Sequence, residues 1–358
     1  MKKKLAVLML AAVTVFGMSG CGSQEQDTPD ASASSEGGEE KEGDAKKEES
    51  YKIGIVQFVD DASLNQIEKA LEKQLDAKGA ELGVTFDYAD YVSNGQADAT
   101  VLNQIGADLV ADNVDAIVAI ATPAAQVMQA AVEGTDIPII FSAVTDPITA
   151  GLVEDLNEPG ANITGTSDAL DTNAVFELMF AANPDIKSVG LLYSKSEDAS
   201  TKAIEEAKAY CKDKGVEVVE KTGTTNDEVA LGADALVAAG VDAVFTPTDN
   251  TIMKAELAIY EKFIDAKIPH YTGADSFALN GAFLGYGVNY VELGTATADM
   301  TAEIVAGGAE PAKTAVKLLD NGIATVNTET AEKIGLDYSM FADLCDSVKE
   351  TKTAEEFE

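Results

Sequence analysis

Short β-rich runs alternate with longer amphipathic stretches along the chain from residue 51 onward. Runs rich in apolar and β-branched residues predict strands at 52–58, 84–88, 116–121, 138–142, 189–193, 216–220, 243–246 and 269–272. Between them, apolar positions at helical spacing predict helices at 64–78, 97–113, 201–214 and 228–239. This alternation, with apolar strand centres, predicts an α/β protein whose parallel sheets are covered by helices on both faces.

The second half of this pattern repeats the first. The segment VDAI at 114–117 has a counterpart in VDAV at 241–244, and each is followed by an Ile-Pro pair, at 137–138 and 268–269. Upstream, KIGIV at 52–56 matches SVGLL at 188–192. The common order of these landmarks predicts two similar, doubly wound lobes. Because ligands bind at the carboxyl ends of parallel strands, two such lobes predict a clamshell with a ligand in the shared cleft.

The first fifty residues have the pattern of an export signal and a tether. Three lysines precede an apolar run at 5–17, which is too short to span a bilayer but suits a signal peptide. The segment Met18-Ser19-Gly20-Cys21 resembles the lipobox of bacterial lipoproteins, in which the chain is cut before the cysteine and the cysteine is lipidated. We therefore expect a signal peptide at 1–20, a lipidated Cys21 and a disordered acidic linker at 21–50. The alternative is an ordinary cleaved signal peptide with a chance cysteine.

Composition and charge exclude several kinds of function. The chain has 358 residues, enough for two domains, and its formal net charge is −37. No basic patch is visible, so nucleic acid is not an expected partner. The chain has no arginine and a single histidine, His270, which excludes an arginine clamp and a multi-histidine metal site. No cofactor or catalytic motif occurs, so we expect neither a cofactor nor an enzyme.

Three further side chains have simple structural interpretations. His270 follows a proline in a predicted buried strand, which favours a packed, hydrogen-bonded histidine over a catalytic base. Cys211 and Cys345 are expected to be isolated thiols, although a disulfide between them is possible in an exported protein.

One strand-end loop has the residues of an anion site. Thr122 and Pro123 directly follow a predicted strand, and they are favoured at a helix N-cap and first turn. The backbone N–H groups of Ala124 and Ala125 would then face the cleft and could hold a ligand carboxylate. A plain capped helix explains the same residues equally well.

Other strand-end loops supply acidic and aromatic side chains. Asp249, Asp275 and Asp146 are at cleft-facing positions suited to an ammonium group, although Asp146, before Pro147, is equally explained as a turn or helix cap. Phe58, Tyr286 and Tyr290 could form an apolar wall or simply belong to the core.

These loops together resemble a known family. The matching segments are QFV at 57–59, AIATPAAQ at 119–126, FSAVTDP at 141–147, GTSD at 165–168, DNT at 249–251, YGVNY at 286–290, VNT at 326–328 and KIGL at 333–336. In this order they resemble the tryptophan/tyrosine-type substrate-binding lipoproteins of ABC importers, which have a type I periplasmic binding protein fold. The sequence departs from the family at Asp60-Asp61-Ala62, where an acid-His-Pro is common, and at Asn289, where an aspartate is frequent.

The resemblance implies an extracytoplasmic, membrane-anchored monomer that hands a small zwitterion, with an aromatic amino acid as the leading candidate, to an ABC permease. It implies a carboxylate site at Thr122, Ala124, Ala125 and Thr145, an ammonium site at Asp249 and Asp275, and a side-chain pocket at Phe58, Ser63 and Tyr286, with Asp146 and Asn250 nearby. It also implies three chain crossings, near 166–168, 287–290 and 311–317. The first lobe would comprise 51–166 and 288–312, and the second 167–287 and 313–358.

Three other functions on the same fold stay open, of which an enzyme is the most distant. A sugar- or nucleoside-binding protein would usually need more aromatic stacking than a chain with 6% aromatic residues offers. A ligand-sensing lipoprotein without a transport role would have the same residues.

Overall fold

The computed structural model describes residues 49–357, which form two α/β lobes, each built on a seven-stranded sheet. The signal peptide, Cys21 and most of the acidic linker lie outside the described residues. Within 49–357, no helix combines the length and the apolar character needed to cross a membrane.

The first lobe has an entirely parallel sheet. Its strands are β1 (Glu49–Gln57), β2 (Val84–Asp87), β3 (Val92–Asn94), β4 (Ala116–Ile120), β5 (Ile139–Ser142), β6 (Ile163–Ser167) and β12 (Lys317–Leu318). Their order is β12-β6-β5-β4-β1-β2. Strand β2 pairs with the first half of β1, and β3 pairs with the last three residues of β1. The central strand β4 is buried along its whole length, as its apolar sequence AIVAI requires.

The second lobe has the same core topology. Its strands are β7 (Ser188–Tyr193), β8 (Glu217–Thr222), β9 (Ala243–Thr246), β10 (His270–Thr272), β11 (Leu284–Gly287), β13 (Ile323–Asn327) and β14 (Ser347–Thr351). The order is β14-β13-β11-β10-β9-β7-β8, with only the β11–β13 pair antiparallel. The run β11-β10-β9-β7-β8 matches β6-β5-β4-β1-β2 of the first lobe, which confirms the predicted fold of two similar doubly wound lobes.

Helices cover both faces of each sheet. They are α1 (Ala62–Leu82), α2 (Ala99–Ala111), α3 (Thr122–Ala131), α4 (Thr172–Ala182), α5 (Asp198–Lys214), α6 (Asn226–Ala239), α7 (Asn250–Ala266), α8 (Asp275–Leu279), α9 (Tyr290–Val305) and α10 (Thr328–Ile334), with short 3-10 turns at Pro311–Lys313 and Ser339–Asp343. Helix α9 returns to the first lobe and packs along α1. The approach is close enough that a Cβ on Gly294 would lie 2.4 Å from the Ile67 carbonyl oxygen.

The chain passes between the lobes three times. It leaves the first sheet after β6, returns after β11 and leaves again after β12. The third crossing follows Leu318, a few residues beyond the expected segment 311–317. The reason is that Lys317 and Leu318 still pair with Thr166 and Ser167 of the first sheet.

His270 and the cysteines have the structural roles that the sequence predicted. His270 is 2% exposed, and its Nδ1 and Nε2 atoms lie 3.0 Å from Glu256 Oε1 and 2.8 Å from Thr246 Oγ1. Among the described residues, Cys211 and Cys345 are both free thiols, as expected.

Candidate ligand-binding site

A small cavity lies between the lobes at the carboxyl ends of the strands. The first lobe contributes Ser63, Leu64, Ala121, Thr122, Ala143, Thr145, Asp168 and Tyr290, and the second contributes Ala199, Thr248, Asn250 and Met253. Most of these residues lie at or near the amino ends of α1, α3, α5, α7 and α9. Helix amino ends carry backbone N–H groups without intrahelical partners, so this arrangement concentrates polar groups around the cavity.

The amino end of α3 presents unpaired donors to the cavity. Within residues 49–357, no side chain caps its first turn, and the buried Thr122 hydroxyl has no hydrogen-bond partner. Ala121, the residue before α3, has φ +80° and ψ 152°, a conformation that residues other than glycine rarely adopt. Ala143, after β5, also has a positive φ, of +54°. Strained backbone of this kind clusters at ligand sites, where it fixes the direction of neighbouring groups.

Asp168 supplies the acid group of the cavity. It directly follows β6, is 6% exposed, and is the one acidic residue among the described residues that line the cavity. Its Oδ1 accepts a 3.0 Å hydrogen bond from the Thr145 hydroxyl. Burial raises the pKa of Asp168 to about 6, while the hydrogen bond from Thr145 opposes that shift. The carboxyl group is therefore still mostly ionised at neutral pH, and a cation beside it would offset the cost of burying that charge.

Tyr290 closes the first-lobe side of the cavity. It is the first residue of α9 and is 3% exposed. Burial raises the pKa of its hydroxyl, and the nearby carboxyl groups of Asp168, Asp275 and Asp61 act in the same direction. Tyr290 therefore stays protonated and can act as a hydrogen-bond donor.

The second-lobe wall is uncharged. Ala199 and Met253 give it apolar surface, and Thr248 and Asn250 are its polar members. Asn250 begins α7 and is 6% exposed. Its Nδ2 atom donates a 3.0 Å hydrogen bond to Oε2 of the buried Glu197.

Direct contacts hold the two lobes together beside the cavity. The Ser63 hydroxyl of α1 donates to Asp275 Oδ1 of the second lobe at 2.5 Å, and Gln66 Nε2 donates to Asp275 Oδ2 at 3.0 Å. On another side, Gln126 Nε2 donates to Asp198 Oδ2 at 2.8 Å. The cavity has room for little more than a water molecule, so a ligand of amino-acid size requires the lobes or their side chains to move apart.

Asp61 lies behind this contact. It is the N-cap of α1 and accepts hydrogen bonds from the backbone N–H groups of Ser63, at 2.8 Å, and Leu64, at 3.3 Å. Burial raises its pKa to about 7, and the Asp275 charge contributes in the same direction. The two carboxyl groups therefore disfavour being ionised together when the lobes are in contact.

Four of the residues proposed from the sequence line the cavity: Ser63, Thr122, Thr145 and Asn250. Asp249 does not. It is 0% exposed and caps α7, with Thr251 N and Ile252 N donating to Oδ1, and Ser194 N and Ser200 Oγ donating to Oδ2. Its acceptors are thus engaged within the second lobe. Asp275 is likewise outside the lining, because Ser63 and Gln66 occupy its two oxygens.

The other proposed residues also lie outside the cavity lining. Phe58 packs against the core of the first lobe, and Ala124 and Ala125 are fully buried within α3. Asp146 accepts hydrogen bonds from the backbone N–H and the hydroxyl of Thr149. It therefore caps a turn, which is the second of the two interpretations that the sequence allowed. Tyr286 belongs to the core of the second lobe.

Four residues that line the cavity were not predicted from the sequence as ligand contacts: Asp168, Thr248, Ala199 and Met253. For Tyr290 the sequence allowed two interpretations, a core residue or part of the cavity wall. Asp168 was within a recognised family segment, but the strand that precedes it was not predicted. Recognising ITGTS at Ile163–Ser167 as a strand would have placed Asp168 at a strand end, with the other cleft residues.

Comparison with known proteins identifies the family. A family model described as ABC transporter substrate binding protein matches residues 52–341. The chain belongs to this family. Its members bind substrates and are not enzymes, which confirms the expectation of a binding protein.

Two individual relatives match most of the chain. A curated tyrosine-binding protein from Clostridioides difficile (strain R20291) is 32% identical over 337 residues, covering 94% of this chain and 93% of the relative. A Streptococcus pneumoniae ABC domain solved in complex with L-Trp is 33% identical, with a TM-score of 0.77 over 84% of this chain and 99% of that one. These similarities confirm the expected type I family fold.

A third relative bears on the arrangement of the lobes. It is a ligand-free, open substrate-binding protein with adhesive properties from Clostridium difficile, 31% identical, with a TM-score of 0.64 over 85% of this chain and all of that one. At nearly equal identity and coverage, this chain superposes better on the L-Trp complex than on the open protein. That agrees with the hydrogen bonds across the cleft, and we describe the arrangement as closed.

Proposed function

We propose that this chain captures an aromatic amino acid between its lobes and delivers it to an ABC permease. The central observation is that the first lobe brings hydrogen-bond donors without partners among the described residues and one carboxyl group to the lining of the same cavity. Thr122 and the uncapped amino end of α3 supply the donors, and Asp168 supplies the carboxyl group. One end suits a carboxylate and the other an ammonium group, which are the two charges of a free amino acid.

The remaining cavity wall suits an apolar side chain. With the zwitterion held by the first lobe, the ligand side chain points toward Ala199, Met253 and Asn250 of the second lobe. A methionine adapts to a planar ring and makes favourable sulfur–aromatic contacts. The names of the relatives, one tyrosine-binding and one solved with L-Trp, support an aromatic amino acid as the ligand of this chain.

Asp168 takes the ammonium role in this proposal in place of Asp249 and Asp275. Four internal donors already occupy Asp249, and Asp275 is engaged by Ser63 and Gln66 in the closed arrangement. Asp168 keeps one oxygen without a partner among the described side chains, because Thr145 donates to Oδ1 only.

Isothermal titration with L-tyrosine and L-tryptophan tests this function. Asp168→Asn keeps the shape of the side chain but removes its charge, so we expect binding to weaken by about 1.5–3 kcal/mol, roughly 10- to 100-fold. Asp146→Asn is the matched control, because Asp146 caps a nearby turn outside the cavity lining and should leave affinity unchanged. Failure of every aromatic amino acid to bind, with binding of a sugar or nucleoside instead, would refute the proposed ligand class.

The export and anchoring parts of the proposal rest on the amino-terminal sequence. The lipobox-like segment ending at Cys21 and the acidic linker that follows it support an extracytoplasmic lipoprotein held on the membrane surface. Metabolic labelling with a fatty acid should mark the wild-type chain but not Cys21→Ala, and the variant should appear in the medium. Equal labelling of both chains would contradict anchoring through Cys21.

The import role requires a permease, which separates a transporter component from a ligand sensor. We expect uptake of labelled tyrosine by cells to fall when this chain is deleted and to recover when it is restored. Unchanged uptake, together with tight binding in vitro, would favour the sensing alternative.

A further inference from the structure

We propose that Asn250 is the residue that selects ligands by their side chain, favouring rings that carry an N–H or O–H group over phenylalanine. This inference rests on the proposed function, because it assumes that a free amino acid occupies the cavity. It adds a specificity determinant in the second lobe, opposite the residues that hold the zwitterion.

The orientation of the Asn250 amide is set by Glu197. Asn250 Nδ2 donates to Glu197 Oε2 at 3.0 Å, and Thr251 Oγ1 lies 3.2 Å from Glu197 Oε1. In its ionised form Glu197 only accepts hydrogen bonds, which directs the NH2 group of the amide toward it. Burial, together with the charge of nearby Asp249, raises the pKa of Glu197 to about 8. In the protonated form, a proton on Oε1 beside Thr251 leaves Oε2 as the acceptor for the amide, so the same orientation is kept.

The amide oxygen of Asn250, Oδ1, has no hydrogen-bond partner among the described residues. Asn250 is nevertheless only 6% exposed, and it lines the cavity. The side chain therefore offers the cavity an acceptor that its neighbours do not satisfy. Around it, Ala199 and Met253 provide apolar surface.

This combination distinguishes ligand side chains by their chemistry. A phenol O–H or an indole N–H can donate to Asn250 Oδ1 while the ring packs against the apolar wall. A phenylalanine ring fills similar space but leaves the acceptor desolvated and unpaired. Sites built to hydrogen-bond a substrate group discriminate strongly against analogues that lack it. Tyrosine and tryptophan, the ligands named for the two relatives, both carry such a donor.

Comparative titration of the purified protein with L-tyrosine, L-tryptophan and L-phenylalanine tests the inference. We expect wild-type protein to bind tyrosine on the order of 10- to 100-fold more tightly than phenylalanine. In Asn250→Ala, tyrosine affinity should fall toward that of phenylalanine, while phenylalanine affinity changes little. Thr248→Val, which removes the other polar group of the same wall, should keep the wild-type preference.

The outcomes separate this inference from the proposed function. Absence of binding by all three amino acids would refute the proposed function itself. Equal binding of tyrosine and phenylalanine by wild-type protein would overturn the selection role while leaving the amino-acid site intact, and it needs no variant to fold. A preference that survives in Asn250→Ala, or that disappears in Thr248→Val alone, would likewise overturn the assignment to Asn250.

Discussion

The Thr145 hydroxyl donates a 3.0 Å hydrogen bond to Asp168, and both side chains line the cavity between the lobes. Thr145 follows β5 and Asp168 follows β6, two adjacent parallel strands. The hydrogen bond stabilises the charged form of Asp168 and fixes the direction of its carboxyl group. Thr145 thereby links the loop after one strand to the acid group after the next.

Removing this hydroxyl should weaken ligand binding. In Thr145→Val the Asp168 carboxyl loses its donor, so ionising it costs more and we expect a loss of about 1 kcal/mol in binding free energy. Titration with L-tyrosine measures the loss. Thr149→Val is the control, because the Thr149 hydroxyl donates to Asp146 at 2.8 Å outside the cavity lining. Equal effects of the two substitutions would contradict a specific role for Thr145.

Ligand affinity should depend on pH through Asp168. The free carboxyl group has a pKa raised to about 6, whereas a bound ammonium group requires the ionised form. Binding should therefore weaken about tenfold for each pH unit below 6 and release protons near that pH. Titrations at pH 5 and pH 7.5, in buffers of different ionisation enthalpy, would reveal both effects. The same slope in Asp168→Asn would assign the dependence to another group.

Stability without ligand should fall as pH rises, in part because of Asp61. Its pKa is about 7 in the folded chain against an ordinary value of 3.8, so between these values the folded state binds more protons than the unfolded state. The free energy of unfolding therefore decreases with pH in this window. Asp61→Asn keeps a good N-cap but removes the buried charge, and it should stabilise the protein at pH 8 by on the order of 2 kcal/mol, with little effect at pH 4.

Asp98 provides a control of opposite sign. It caps α2 in the same manner, with Thr100 N donating at 2.6 Å, but it is exposed, and hydrogen bonds from the backbone lower its pKa. Asp98→Asn should therefore lower stability at pH 8 instead of raising it. Thermal melts of both variants at pH 4 and pH 8 would test the difference, and stabilisation of neither at pH 8 would contradict a charge penalty at Asp61.

The strained backbone at Ala121 leads to a separate prediction. Glycine adopts φ +80° without a steric cost, so Ala121→Gly should raise stability by about 1 kcal/mol despite the added freedom of the unfolded chain. Ala124→Gly, three residues later and within α3, also removes a buried methyl group but relieves no strained backbone, so it should instead destabilise by at least that amount. Chemical denaturation measures both, and destabilisation by Ala121→Gly would contradict the inferred strain.

The sequence predicted the repeated lobes well because apolar central strands such as AIVAI have an unambiguous pattern. It missed β6 (ITGTS) and β11 (LGYG), whose threonines, serines and glycines lack that pattern. Asp168 and Tyr290 follow these two strands, so their place in the cavity was missed or left open. Asp249 shares with Asp168 a position just after a strand, which is what predicts a ligand contact for it. A sequence does not show whether such an aspartate directs its oxygens to its own helix or to a ligand. In this structure one oxygen of Asp249 accepts from the helix N–H groups, and the other accepts from Ser194 and Ser200.

A crystal structure of the protein grown with L-tyrosine tests the central claim most directly. We expect one ligand between the lobes, with its ammonium group at hydrogen-bonding distance from Asp168, its carboxylate at Thr122 and the amino end of α3, and its ring against Met253. A tyrosine whose ammonium group contacts Asp249 or Asp275 instead of Asp168, or a cleft that remains without ligand at saturating tyrosine, would contradict the claim.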